Sequence, residues 1–208
     1  MSWSVDSERR ALQSRSKNWS GRFRLVPLDA MQHAARLYPL FHGEGADFVW
    51  NYLRDGPFPS LDRYEEHIKT FQHRSDVLPF VVEDVSKKSL VGKLLVIRVT
   101  PDSSSAEIAY VIFSPDVHGS GAAIAAVGGL ADHIFFTLGK TICHWRCDKL
   151  NARSVRFAEK MGFALEREII SDFQTKGRLR DTLVFSQSRN AWLDNRLKLM
   201  QTLSDVTK

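Results

Sequence analysis

The chain has 208 residues, enough to close one sizeable hydrophobic core, and so predicts a single domain. Hydrophobic residues make up 43% and charged residues 25% of the sequence, as in ordinary globular proteins, and no membrane span or secretory signal is evident, so we expect a cytoplasmic protein without a membrane partner. The net charge of +5 comes from scattered basic residues rather than a basic stripe with interleaved aromatics, which predicts no nucleic-acid partner.

The N-terminal part predicts a polar arm followed by the first strand and helices. Residues 1–20 are rich in Ser and Arg and are expected to lie outside the core. Residues 23–26 alternate as a strand that Pro27 ends, and Asp29 and Ser60 are placed to cap two helices. Between those helices, residues 48–59 form an aromatic segment with a Pro/Gly turn, which is explained by packing of a small helix under the sheet or by contact with a substrate.

The rest of the chain predicts alternating strands and helices. Strands are predicted at 78–83, 90–97, 106–113, 141–147, 163–170 and 181–186, with a charged link around Lys176 between the last two. Helices are predicted from the loop at 118–123 to Leu138, with Gly139 as the stop, from Asn151 to Gly162, and over 189–208, where an amphipathic helix could cover a sheet face or meet a partner. This order predicts an α+β fold with a mixed, mostly antiparallel sheet and helices on both faces.

A small-residue loop joins the fourth strand to the following helix. Bulky side chains are missing from His118 to Ala123, so a ligand can approach the main chain while free amide groups at the helix start face outward. Such a helix start favours a phosphate or diphosphate, although an ordinary tight turn explains a lone Gly-x-Gly equally well. The third glycine and the acidic residue of the dinucleotide-binding fingerprint are not in register.

A second motif follows at the separation of one further helix and strand, in Asn151 to Phe163. Together the two motifs resemble the GNAT superfamily of acetyl-CoA-dependent N-acetyltransferases, and in particular its Rim-type branch. The resemblance covers about 22–189, with His118 where the family loop has Gln or Arg. It implies a GNAT domain at 21–188, between the arm and the C-terminal helix, with about seven strands splayed at the cofactor site.

The resemblance also implies acetyl-CoA as cosubstrate and a set of residues that bind it. The thioester carbonyl would take a main-chain N–H from the fourth strand, and Asn151 would bind the pantetheine arm. The cofactor-binding residues expected in this way are Ile112, Phe113, His118, Gly119, Ser120, Gly121, Ala122, Ala123, Asn151, Ser154 and Phe157. The segment between the first two strands borders the acceptor pocket in this branch, so Trp50, Tyr52 and Phe58, together with Asp148, are the expected substrate contacts.

Two residues are candidates for proton transfer. An attacking amine must be neutral and the departing thiolate should receive a proton. Glu107, on the strand that leads to the loop, is the candidate base, although it could equally be a solvated strand charge. Ser154 is the candidate leaving-group donor, because the tyrosine that many GNAT enzymes use farther along this helix corresponds to Ala158 here.

The cysteines and histidines predict no metal site. Cys143 and Cys147 share a strand face but lie about 13 Å apart, beyond disulfide reach. Two functions remain open: an N-acetyltransferase that acts on a primary amine in a ternary complex, as a monomer or homodimer, and a non-catalytic acyl-CoA-binding or protein-interaction module with the same fold. The sequence does not identify the acceptor amine.

Overall fold

The computed structural model describes residues 19–206, which form an α+β fold around a seven-stranded sheet. The strand order is β1-β2-β3-β4-β5-β7-β6. The strands are β1 (Phe23–Pro27), β2 (Val77–Asp84), β3 (Ser89–Ile97), β4 (Ser105–Phe113), β5 (Ile142–Asp148), β6 (Ala164–Thr175) and β7 (Arg178–Ser188). The helices are α1 (Ala30–Phe41), α2 (Leu61–Gln72), α3 (Ala122–Asp132), α4 (Ala152–Lys160) and α5 (Arg189–Val206). The predicted fold class and mixed sheet are confirmed.

One parallel strand pair interrupts an otherwise antiparallel sheet. Strands β4 and β5 run parallel and pair only from Ser105–Ile142 to Ile108–Trp145. Beyond these pairs, β4 continues to Phe113 and β5 to Asp148, but the two strands no longer pair with each other. The two strands therefore separate toward their carboxyl ends, as the predicted splay requires.

Helices cover both faces of the sheet. One core cluster joins the sheet to α3, α4 and α5, with Leu130, Ala158 and Trp192 among its buried members. A second cluster holds α1 and α2 against the opposite face, where Leu37 and Ile68 belong to the buried set. Helix α1 begins at the predicted cap, because the Asp29 side chain accepts a hydrogen bond from the Gln32 N–H.

The C-terminal helix packs against α3 and against strand β7. Asp132, buried at the end of α3, accepts hydrogen bonds from the indole N–H groups of Trp19 at 2.7 Å and Trp192 at 2.9 Å. The Arg196 guanidinium donates to both oxygens of the same carboxylate at 2.8–3.1 Å. Residues 1–18 of the predicted arm lie outside the described residues, whereas Trp19 is part of the core.

The charged link expected around Lys176 is in fact strand. Strands β6 and β7 extend to Thr175 and from Arg178, so only Lys176 and Gly177 form the turn. Most of β6 is exposed at the edge of the sheet, where polar residues are tolerated on either face, so charge was a poor guide to the strand ends. Helix α3 ends at Asp132 and continues as a π-helical turn to Thr137, before the predicted stop at Gly139.

Candidate active site

A cleft of about 770 Å³ opens where β4 and β5 separate. Its walls are the free ends of the two strands, the loop before α3, the start of α4 and the segment after α1. Because β5 departs, the main-chain groups of residues 109–113 that face β5 have no partner in the sheet. Unpaired strand groups of this kind are available to a ligand.

The loop before α3 presents its main chain to the cleft. Gly119 and Gly121 both have φ of 82°, a conformation that favours glycine, and Gly121 is the N-terminal cap residue of α3. Gly121 has no side chain to cap this helix end, and only the Ala122 N–H has a side-chain acceptor, the Ser120 hydroxyl at 3.4 Å, so the next amide groups are available to an anion. The loop residues on the cleft wall are His118, Gly119, Gly121 and Ala123. The side chains of the other two expected residues do not line the cleft: Ala122 is buried, and the Ser120 hydroxyl donates to the Val117 carbonyl.

Basic side chains lie beside this loop. The His118 Nδ1 atom is 3.1 Å from the Arg153 guanidinium of α4, and Lys160 of the same helix also borders the cleft. Burial and the nearby Arg153 charge lower the pKa of His118. The His118 ring therefore sits beside a permanent cation, a favourable environment for a diphosphate.

Strand β4 carries a distortion where it borders the cleft. The pairing of β3 with β4 shifts register between Lys93 and Leu95, and Tyr110 on β4 has φ of 50°. A bulge of this kind re-aims strand groups and increases local twist. Ile112 and Phe113, the expected partners of a thioester carbonyl, both line the cleft just beyond it.

The two polar candidates at the start of α4 also reach the cleft. The Asn151 Oδ1 atom caps the helix by accepting from the Ser154 N–H at 3.0 Å, which leaves the amide NH₂ group for a ligand. The Ser154 hydroxyl accepts a hydrogen bond from the Trp145 indole at 3.0 Å, and its own O–H is directed toward the Cys147 sulfur, where it opposes the rise that burial causes in the pKa of that thiol. Phe157 lines the cleft as well, with its ring centroid 5.6 Å from that of Trp145.

The structure brings only one of the three expected aromatic contacts to the cleft. Tyr52 lines it, whereas Trp50 is fully buried and donates its indole N–H to the Phe41 carbonyl at 2.7 Å. Phe58 lines a separate cavity of about 450 Å³ beside Tyr38. The segment is a tight 3₁₀ turn and loop, so neighbouring aromatic residues point in different directions.

The two acidic candidates lie behind the cleft wall. Asp148 is 1% exposed, pairs with Arg178 and accepts the Leu150 N–H. Glu107 is 6% exposed and lies 3.3 Å from Arg146 and 3.5 Å from Arg98. Burial raises the pKa of the Glu107 carboxyl, and the neighbouring arginines oppose that rise. Neither carboxylate is among the residues that line the cleft.

Two arginines on the cleft wall were missed in the sequence. Arg146 follows from strand alternation in β5, which places it on the same face as His144, but nothing marked that face as a ligand site. Arg180 fell within the segment interpreted as a charged link, and the structure instead places it on β7. Both side chains border the cleft.

A lysine is buried behind Tyr110 of the cleft wall. Lys93 is 0% exposed, and its Nζ atom has no hydrogen-bond partner among the described residues. It lies 5.5–5.9 Å from the ring centroids of Trp50, Phe71 and Tyr110. Burial lowers the pKa of Lys93 to about 7, and the Asp55 carboxylate opposes this shift. Tyr110 donates its hydroxyl to Asp55 at 2.6 Å.

Comparison with known proteins identifies the family. Residues 22–164 match the family model described as the acetyltransferase (GNAT) domain. A GNAT-family acetyltransferase structure from Chromobacterium violaceum is 34% identical, with a TM-score of 0.75, over 82% of this chain and 90% of that one. A GCN5-related N-acetyltransferase from Brucella melitensis is 27% identical, with a TM-score of 0.83, over 88% of this chain and 83% of that one.

A curated relative is also similar. Spermidine N(1)-acetyltransferase of Escherichia coli is 27% identical over 163 residues, which cover 76% of this chain and 84% of that protein. The chain therefore belongs to the GNAT acetyltransferase family and is an acetyl-CoA-dependent N-acetyltransferase. Among residues 19–206, no helix is long and apolar enough to cross a membrane, and no three His, Cys, Asp or Glu side chains cluster as metal ligands would.

Proposed function

We propose that the cleft binds acetyl-CoA with its diphosphate on the loop at 118–123 and its thioester beside the free end of β4. One observation carries this proposal: the strand separation, the uncapped start of α3 and the Asn151–Ser154 pair border a single cleft. The helix start and the nearby basic side chains favour the phosphates. The Asn151 amide is available to the pantetheine arm, as expected in the Rim-type branch.

We propose direct transfer to a primary amine in a ternary complex. The amine nitrogen forms a bond to the thioester carbon, and a main-chain N–H of Ile112 or Phe113 stabilises the oxyanion. The carbon–sulfur bond then breaks, and the departing thiolate takes the proton of the Ser154 hydroxyl. The protonated nitrogen of the intermediate gives a proton back to the Ser154 oxygen, which leaves the neutral amide product. Glu107 would accept the proton of the incoming ammonium through water, since its carboxylate lies behind the cleft wall.

The setting of the reaction is also proposed. Cys143 and Cys147 are both free and buried thiols, in keeping with the cytoplasm, where thiols stay reduced. The enzyme would work as a monomer or homodimer, without nucleic acid. The name of the Escherichia coli relative makes spermidine one acceptor to test.

Two measurements test the function. Calorimetry should detect acetyl-CoA binding, and thiol release should rise when acceptor amines are added. A Gly121→Ala variant should weaken binding, because φ of 82° is unfavourable for alanine, whereas Gly139→Ala, with φ of 67° and outside the cleft lining, should not. Binding without turnover on any amine would favour the non-catalytic module, and absence of binding would exclude both functions.

A further inference from the structure

The charged side chains that line the cleft are all basic or potentially basic. Among the described residues on its wall there is no Asp or Glu, and the side chains that carry or can take a positive charge are His118, Arg146, Arg153, Lys160 and Arg180. Three of these five belong to the loop and α4, where the phosphates of CoA are proposed to bind. The other two, Arg146 and Arg180, lie away from that loop and helix, on strands β5 and β7.

These two arginines share the face of the sheet opposite α3 and α4. Arg146 pairs with Val184, and Asp148 pairs with Thr182, so Arg180 belongs to the same alternating row of β7. The Arg180 Nη1 atom lies 3.4 Å from the Tyr52 carbonyl, in the segment that forms the acceptor side of the cleft. The pair is thus remote from the proposed diphosphate site.

Arg180 is held in place but lacks an anionic partner. Its Nε–H donates to Thr182 Oγ1 at 3.0 Å, and its guanidinium carbon lies 5.0 Å from the centroid of the Phe173 ring. The side chain is 8% exposed, and no carboxylate of the described chain forms an ion pair with it, because Asp148 pairs with Arg178 instead. Burial lowers the pKa of Arg180, which reflects the cost of a desolvated cation, and the Asp148 and Asp172 carboxylates oppose this shift from beyond ion-pair distance.

Arg146 differs from Arg180 because it already has a counter-ion. Its Nε atom lies 3.3 Å from Glu107, whose carboxylate also neutralises Arg98. An incoming anion would therefore be stabilised most by Arg180, with Arg146 as a second, already paired cation beside it. A planar guanidinium fixed by two hydrogen bonds matches a carboxylate better than a flexible ammonium would.

Given the proposed acetyltransferase function, we infer that the acceptor is an amine that also carries a carboxylate, which Arg180 binds. The carboxylate would supply the missing counter-ion and orient the amine toward the thioester. A polyamine such as spermidine would instead bring several positive charges to a cationic wall, which is unfavourable. The acceptor class therefore differs from that named for the Escherichia coli relative.

Matched pairs of ligands test this inference independently of turnover. Free amino acids and their carboxamides, together with spermidine, are titrated into the CoA-loaded protein by calorimetry. The same compounds are then assayed as acceptors for thiol release from acetyl-CoA. We expect at least one acid to bind about tenfold or more tightly than its amide, because a charged hydrogen-bonded pair is lost in the amide. The amine of the carboxamide is less basic and more often neutral than that of the free acid. Amine basicity alone would therefore favour the carboxamide, the opposite of the expected result.

Charge-matched variants complete the test. Arg180→Gln should abolish the preference for the acid, and Arg180→Lys should retain part of it. Arg24→Gln removes the same charge from an exposed site on the edge strand β1 and should leave the preference intact. The inference is overturned if spermidine or the amides bind as well as the acids, if nothing in the panel binds, or if Arg180→Gln weakens acid and amide equally.

The function and the inference fail in different ways. Turnover of spermidine or amides without any preference for acids would retain the acetyltransferase and reject the carboxylate site. Selective binding of acids without thiol release from acetyl-CoA would retain the carboxylate site and reject catalysis.

Discussion

Ser154 has a structural contact with Trp145 and a proposed role as proton donor, and experiments can separate the two. Its hydroxyl oxygen accepts the Trp145 indole N–H, while its proton, directed toward Cys147, is the one that the proposed reaction transfers to the leaving thiolate. Ser154→Ala should lower kcat about 10–100-fold and leave CoA affinity within a few-fold, because general acid catalysis is lost while the main-chain contacts persist. Steady-state kinetics and calorimetry measure the two effects.

Trp145→Phe is the matched control for Ser154. It deletes the indole donor but keeps the serine, so its kcat should fall much less than that of Ser154→Ala. Equal losses in the two variants would assign Ser154 a structural role, and unchanged turnover in Ser154→Ala would reject the leaving-group assignment.

Glu107 is predicted to set the acidic limb of the pH–rate profile. Burial raises the pKa of this carboxyl, and kcat/KM should fall as pH drops through that value and the base becomes protonated. Glu107→Gln should remove this limb. Arg98→Gln, which takes away one opposing cation, should move it to higher pH. An unaltered profile in both variants would exclude Glu107 as the base.

At the scale of elements, Asp132 links α3 to both the N-terminal segment and α5. Asp132→Asn should lower the free energy of unfolding by about 2–3 kcal/mol, because it replaces a buried carboxylate that accepts from two indoles and a guanidinium. Urea denaturation measures the change. Asp205→Asn, at an exposed site on α5, should change stability by less than about 0.5 kcal/mol. Equal effects would contradict the proposed role of this link.

The sequence predicted the order of the strands and helices better than it predicted the ends of the strands in the β6–β7 hairpin. Alternation and caps located the strands and helices, including the cap at Asp29 and the stop at Gly139, because these are local effects. The β6–β7 hairpin was misjudged, because an exposed edge strand need not alternate in polarity.

The same contrast holds within the cleft. Glycine spacing and helix order suggested the loop and the Asn151–Ser154 pair, since both occupy continuous segments. Tyr52 reaches the cleft and Trp50 does not, because a tight turn decides which aromatic faces inward. Arg180 lies beside Tyr52 only through contact between residues 128 apart in sequence, which no local pattern encodes.

At the scale of the whole molecule, Lys93 makes stability depend on pH. Its pKa is about 7 in the folded protein and 10.5 for an ordinary lysine, so the unfolded chain binds more protons between these values. Lys93 therefore contributes a rise in the free energy of unfolding as pH increases above about 7. The titratable groups that interact with this amine are Asp55, His42 and His67, and the Tyr110 ring lies 5.5 Å away.

Lys93→Met tests this contribution because it removes the amine from an aromatic surrounding. The variant should be more stable than the wild-type protein at pH 7, and its advantage should shrink by about 2–3 kcal/mol by pH 9. Urea denaturation at the two pH values measures the difference. Lys87→Met, at an exposed turn, should show no such narrowing, and a constant advantage for Lys93→Met would contradict the assignment.

Strand β7 lies between β5 and β6 in the sheet, although it follows both in the sequence. The match to the family model ends at residue 164, whereas β7, with Arg180, begins at residue 178. A fragment cut at the limits of that match would leave β5 as an edge strand and α3 without the cover of α5. The proposed CoA contacts thus lie within the matched region and the proposed acceptor contact Arg180 lies outside it, so substitutions in β7 could change the acceptor without altering the CoA site.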